Sequence, residues 1–77
     1  MTPYQRAAYL AQDAVRQAMA RGKLPRLSDG SVKCTDCPEP ATDYDHRDYS
    51  KSKRLDVVPV YHSCNMRRGP GKFEPAA

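Results

Sequence analysis

The order of apolar and polar residues divides the chain into a helical N-terminal part and a compact part with short extended segments. Thr2 as N-cap, Pro3 at the first helical position and Gln5 three residues after the cap predict the start of a helix. Good helix formers continue to Arg21, and Gly22 suits the position after a helix end. Alanine side chains bury little area, so we expect this helix to pack closely against a compact surface. Its predicted apolar face contains Ala7, Ala8, Ala11, Ala14, Val15, Ala18 and Met19, with Tyr4 at the entrance.

The rest of the pattern predicts short strands, a polar loop and a second helix. These segments are strands at 31–34 and 41–46, a loop at 50–55, an extended run at 56–60 and a short helix at 63–69. Together they predict a small α+β fold. Its expected divisions are a capped helix over 1–22, a linker over 23–31, a compact unit over 32–71 and a disordered tail over 72–77.

Composition indicates that this fold needs a staple. The chain has 77 residues with no Trp and one Phe, and chains with such thin cores tend to need disulfides, a metal or a partner chain. The three cysteines are an odd number, so disulfides alone would leave one thiol over. No apolar stretch resembles a signal peptide or is long enough to cross a membrane. We therefore expect no membrane partner and a location in a reducing cytoplasm.

In that compartment the cysteine pattern predicts a metal site. Cys34 and Cys37 have the spacing of two thiolates that reach one zinc ion from a tight turn, and Cys64 is the third candidate. A thioredoxin-like redox pair is the alternative, but it would need a longer βαβ context. His62 is the candidate for the fourth ligand; if it is a surface histidine, then water, a carboxylate or His46 completes the shell. Structural zinc can supply on the order of 10 kcal/mol of folding free energy.

Charge suggests a nucleic-acid partner. The net charge is +4, and an acidic stretch over 36–48 lies between basic segments. This arrangement fits a site that holds a divalent cation against a phosphate backbone, although solvated charged faces would give the same pattern. The candidate nucleic-acid-binding residues are Arg47, Lys51, Lys53, Arg54, Arg67 and Arg68.

Two stretches on this zinc scaffold, YDHRDY at 44–49 and VVPVYHSCN at 57–65, carry a resemblance to a known family. Together with the Cys-x-x-Cys pair they resemble the HNH endonucleases, and among them the small HNH proteins encoded near the packaging genes of bacteriophages. The likeness covers roughly residues 32–71. It implies a treble-clef, or ββα-metal, zinc unit and a metal-dependent endonuclease or nicking enzyme that hydrolyses DNA phosphodiester bonds. It also implies a bacteriophage origin and hence the cytoplasm of a host cell.

The resemblance also implies roles for individual residues. His46 would be the general base, and Asp45 and Asn65 would coordinate a catalytic magnesium or manganese ion. Asp56 falls at or near the middle Asn of the family, which orients the base. The chain departs from the family pattern at Tyr61, which replaces the first cysteine of the second metal pair.

These departures leave two alternatives to an enzyme. In the first, the domain is a catalytically inactive zinc-finger-like module that binds DNA, other nucleic acid, or a host or phage protein. In the second, the alanine-rich N-terminal helix docks onto a larger phage or host assembly. If the protein does cut both DNA strands, we expect either a homodimer or repeated nicking.

Overall fold

The computed structural model describes residues 1–74 and has a small α+β fold. Its elements, in chain order, are helix α1 (Pro3–Ala20), strand β1 (Asp43–His46), a 3₁₀ turn (Lys51–Lys53), strand β2 (Val57–Val60) and helix α2 (His62–Arg68). Neither helix of these 74 residues is both long enough and apolar enough to cross a membrane.

Helix α1 begins and ends where its caps predict. The backbone N–H of Gln5 donates to Thr2 Oγ1 at 3.1 Å, and the N–H of Thr2 donates to Gln5 Oε1 at 2.9 Å, so the capping box is formed. Arg21 is the C-cap, and Gly22 follows with a positive φ of 76°. This is a left-handed conformation that glycine adopts at little cost.

The apolar face of α1 is covered in part by the rest of the chain. Its buried residues are Ala7, Ala11, Val15 and Ala18. Ala7 and Ala11 form a core cluster with Tyr49, and Phe73 packs against the same cluster. On the same face, Ala8, Ala14 and Met19 are only partly buried.

Strands β1 and β2 form an antiparallel pair, and β1 carries two of the predicted site residues, Asp45 and His46. Asp43 pairs with Val60 at one end of the ladder and His46 with Val57 at the other. Val60 is fully buried and packs with Cys34 and Cys64 in a second core cluster. The strand predicted at 31–34 is reduced to a single bridge between Lys33 and Pro40, which closes the knuckle around the first cysteine pair.

The tail predicted to be disordered from residue 72 begins instead with ordered contacts. Lys72 forms a parallel bridge with Asp48, and its backbone N–H donates to the carbonyl of Arg47 at 3.0 Å. Phe73 packs against the cluster of Ala7, Ala11 and Tyr49. This apolar contact could not be expected from the Pro- and Gly-rich sequence of the segment. Residues 75–77, the rest of the predicted tail, lie outside the described residues.

Candidate metal centre and catalytic cavity

The three cysteines converge from two distant parts of the chain. Cys34 and Cys37 come from the knuckle and Cys64 from the first turn of α2, and their sulfur atoms all lie within 4.8 Å of one another. Zinc–sulfur bonds of about 2.3 Å in a tetrahedron place sulfurs roughly 3.8 Å apart, so the group suits a metal ion of this kind. The predicted convergence of the three thiols is therefore confirmed, and the group can hold a metal.

The electrostatics of the three thiols also favour a bound cation. Burial raises the pKa of Cys34, but backbone N–H groups, led by those of Tyr61 and Asp36, outweigh burial and lower this pKa to about 7. Hydrogen bonding to Cys37, followed by burial and the neighbouring thiolates, raises the pKa of Cys64 to about 11. Without a cation, the first thiolate thus opposes ionisation of the next. A metal ion at the centre would remove this repulsion.

The structure does not bring His62 to the cysteines. Its ring is exposed, and Nδ1 lies 3.2 Å from Oδ2 of Asp43, which also accepts a hydrogen bond from Asn65 at 3.0 Å. Within residues 1–74, no histidine or carboxylate joins the three-cysteine group. The reason is helical geometry: His62 and Cys64 are two residues apart in α2, so their side chains point about 160° apart, to nearly opposite sides of the helix. His46, the other histidine considered as a ligand, lies on β1 away from this group.

Three residues with predicted catalytic roles line one cavity of about 300 Å³. These are Asp45 and His46, both buried on β1, and Asn65 on α2. Successive side chains of a strand point to opposite faces: the Asp45 carboxylate binds Arg68 of α2 and the His46 ring packs against Tyr49, so the two residues border this cavity from different sides of β1. Because Asn65 directly follows Cys64, the same short helix serves both the cysteine group and this cavity.

His46 is oriented by the main chain and not by Asp56. Its Nε2 lies 2.7 Å from the carbonyl oxygen of Arg54, and its ring packs against Tyr49 with 5.7 Å between ring centroids. A carbonyl only accepts hydrogen bonds, so Nε2 carries the hydrogen and a neutral His46 has Nδ1 as its free acceptor. Asp56 is exposed and lies 3.8 Å from Nζ of Lys53, so the predicted contact between Asp56 and His46 is absent.

Two arginines donate hydrogen bonds to the carboxylate of Asp45. Arg47 donates from Nε to Oδ2 at 2.8 Å and from Nη2 to Oδ1 at 2.9 Å, and Arg68 donates from Nη1 to Oδ2 at 3.1 Å. The side-chain amide of Asn65 is used by Asp43. In this arrangement Asp45 does not fit a divalent ion, because both of its oxygens face positive guanidinium groups, whereas Asn65 is bonded through Nδ2 and not through Oδ1, the atom that would bind a cation.

The six predicted nucleic-acid-binding residues divide into two sets. Arg68 is committed to internal pairs, because besides Asp45 it holds Asp36 at 2.6 Å through both Nε and Nη2. Arg47 is paired with Asp45, yet its side chain is half exposed. The more accessible set contains Lys51, Lys53 and Arg67, with Arg54 half-buried.

Sequence reasoning missed two contributors to the site. Tyr49, inside the YDHRDY stretch, is the buried ring against which His46 packs. Asp43 joins His62 to Asn65 across the β1–α2 contact, and these hydrogen bonds lower its pKa despite the opposing effect of burial. The alternation of β1 places Asp43 on the same face as Asp45, which was the available signal.

Comparison of the chain with models of protein families, with curated proteins and with solved structures finds no match. The likeness to HNH endonucleases therefore depends on the motif residues alone.

Proposed function

We propose that this protein is an HNH-type endonuclease or nicking enzyme that hydrolyses DNA phosphodiester bonds on a zinc-stapled scaffold. The observation that carries the proposal is the single cavity lined by Asp45, His46 and Asn65. These are the positions at which the resemblance implies the base and the two metal ligands. The neighbouring cysteine group supports zinc as the staple of a chain with a thin core.

His46 is the general base in this proposal. Its Nε2–H is held by the carbonyl of Arg54, which leaves Nδ1 to take a proton from the attacking water. The water oxygen bonds to phosphorus while the bond from phosphorus to the leaving oxygen breaks; the leaving oxygen takes the electron pair of that bond and then a proton from solvent. Packing against Tyr49 restricts the ring, so less orientation has to be achieved when the substrate arrives.

Arg47, which does not line the cavity but pairs with Asp45 in its wall, is the phosphate-binding residue in this proposal. A phosphate diester offers a guanidinium group two acceptor oxygens, as the Asp45 carboxylate does. Arg47 is half exposed, and its guanidinium also donates to the carbonyls of Arg68 and Gly69, so a phosphate would replace Asp45 while these two bonds hold the side chain in place. Bound to the phosphate, the Arg47 guanidinium would stabilise the negative charge that builds there, a role that the resemblance gives to magnesium or manganese.

A plasmid nicking assay tests this function. Supercoiled DNA is incubated with zinc-loaded wild type, His46→Ala and Asp56→Ala, in magnesium, in manganese and without a divalent ion. We expect nicking by wild type and by Asp56→Ala, and at least a hundredfold loss in His46→Ala with its zinc content unchanged. Equal nicking by His46→Ala and wild type would exclude His46 as the base.

The ion pairs of Asp45 favour a second candidate, a zinc-stapled module that binds nucleic acid without cutting it. Two guanidinium groups stabilise this buried carboxylate as a structural element and leave it unavailable to a cation. This candidate predicts one zinc per chain, no nicking with any divalent ion, and DNA affinity that falls steeply with salt because counterions are released.

A further inference from the structure

A second cavity lies between α1, the linker and β1. Its volume is about 640 Å³, roughly twice that of the cavity with the predicted catalytic residues. Val15, Met19, Leu27 and the ring of Tyr44 form apolar walls. A cavity of several hundred Å³ with mostly apolar walls and few polar groups has the general form of a site for a small flat ligand.

The two cavities share walls. Gln12, Tyr44 and His46 line both of them. A group bound in the larger cavity would therefore lie next to the proposed base and next to a phosphate in the smaller cavity. The hydroxyl of Tyr44 donates to the carbonyl of Pro25 at 2.6 Å, which fixes this shared aromatic wall.

The polar groups at this cavity suit a nucleotide. Arg16 and Arg26 both line it, and Arg26 is exposed. Among the described residues, Arg26 has no ion-pair partner, whereas Arg16 pairs with Asp13 at 2.6 Å. Aromatic side chains stack on nucleobases without regard to sequence, and free guanidinium groups bind phosphates. Gln12 adds an amide that can donate to and accept from a base edge.

We infer that the larger cavity holds an unpaired nucleobase of the DNA strand whose phosphate enters the smaller cavity. A base within a duplex is stacked and paired, so it cannot enter such a cavity without being extruded at a cost of a few kcal/mol. The substrate class is then DNA with unpaired nucleotides, such as single strands, flaps and gaps. This inference deepens the proposed function, on which the role of the neighbouring phosphate rests.

A binding experiment without added divalent ions tests the inference independently of cleavage. The probes are a single-stranded oligonucleotide with a central 2-aminopurine, the same strand in a full duplex, and the same strand in a duplex with the 2-aminopurine unpaired. For zinc-loaded wild type we expect at least tenfold tighter binding of the two unpaired probes, together with a change in their 2-aminopurine fluorescence. Equal affinity for all three probes, or unchanged fluorescence on binding, would overturn the inference. Preference for an RNA strand of the same sequence would overturn the assignment to DNA.

Two matched pairs of variants test whether the preference for unpaired probes depends on the larger cavity. Leu27→Trp fills the cavity, whereas Leu55→Trp adds the same group at an exposed position that does not line it. We expect the preference to be lost in Leu27→Trp and kept in Leu55→Trp. Arg26→Ala and Lys23→Ala each remove one exposed charge, but only Arg26 lines the cavity. This second pair leaves the apolar walls intact and tests the charge alone. We expect Arg26→Ala to lose more affinity for the unpaired probes than Lys23→Ala does, and equal losses would contradict the inference.

Nicking results separate this inference from the proposed function. If wild type cuts full duplex as fast as gapped DNA, the nuclease stands and the base-binding cavity is overturned. If no substrate is cut but the unpaired probes still bind tenfold tighter, the proposed enzyme fails and the cavity remains as the recognition site of a binding module.

Discussion

The Nε2 atom of His46 lies 2.7 Å from the carbonyl oxygen of Arg54. This contact fixes the ring through the main chain, so it should survive replacement of nearby side chains. We predict that neutral His46 carries its hydrogen on Nε2, both in wild type and in Asp56→Asn. Nitrogen-15 NMR of the histidine ring reports the tautomer directly. A switch to the Nδ1–H form in Asp56→Asn would show that Asp56, and not the backbone, orients the base.

Cys64→Ala should release the metal and unfold the chain, whereas His62→Ala should do neither. The cysteine contributes one of three converging sulfurs, and structural zinc supplies on the order of 10 kcal/mol to folding. The ring of His62 contacts Asp43 on the exposed side of α2 instead. Metal analysis and circular dichroism of both variants check the prediction. Loss of zinc from His62→Ala would identify it as the fourth ligand after all.

Metal binding should release protons and weaken as the pH falls. The pKa of the Cys64 thiol is raised to about 11, so this thiol is protonated at pH 8 in the metal-free protein and must lose its proton to bind zinc. At pH 6 the Cys34 thiol, with a pKa of about 7, is also mostly protonated and releases a second proton. More protons are therefore released at pH 6 than at pH 8. Titration calorimetry in buffers of different ionisation enthalpy measures this number, and a number independent of pH would contradict the prediction.

Arg68→Met should destabilise the fold far more than Arg67→Met. Arg68 holds the buried carboxylate of Asp45 as well as Asp36, and breaking a buried ion pair costs about 3 kcal/mol or more. Arg67 is exposed, and its one side-chain hydrogen bond within residues 1–74 runs from Nη2 to the sulfur of Cys64 at 3.6 Å, so its replacement should cost only about 1 kcal/mol. Urea unfolding of the zinc-loaded variants measures both.

The same pair of arginine variants should separate stability from DNA binding. If Arg67 contacts a phosphate, Arg67→Met lowers the slope of log affinity against log salt by about 1. Similar losses of stability in the two variants would show that the ion pairs of Arg68 carry little energy.

Gly71→Ala should be more costly than Gly22→Ala. A Cβ at Gly71 would lie 2.7 Å from the carbonyl oxygen of His46 and 3.1 Å from the ring of Tyr49, so the backbone near the proposed base must shift. Overpacking of this kind costs about 3 kcal/mol. A Cβ at Gly22 meets no atom within 4 Å and adds only the strain of a positive φ, about 1 kcal/mol. Thermal unfolding compares the stability losses of the two variants. Equal losses would mean that the backbone around Gly71 shifts at little cost to make room for a Cβ.

Features that depend on local interactions could be predicted from the sequence. The limits of α1 follow from the Thr2–Gln5 capping box and from Gly22, all of which act within one helical turn. The spacing of Cys34 and Cys37 fixes one half of a metal site for the same reason. Alternation along residues 41–46 predicted a strand and residues 56–60 were expected to be extended, and the structure has strands at Asp43–His46 and Val57–Val60.

The tertiary structure alone decided how the site is completed. The carbonyl of Arg54 has no sequence signature, since every residue offers one, and only the fold selects which carbonyl reaches His46. The pairing of Asp45 with Arg68 spans 23 positions, so charge counts along the chain could not assign it. His62 has the right chemistry for zinc, but its place in the first turn of α2 directs it to Asp43. Sequence therefore determined which chemical groups are present and their local conformation, while long-range packing determined the direction in which each group points.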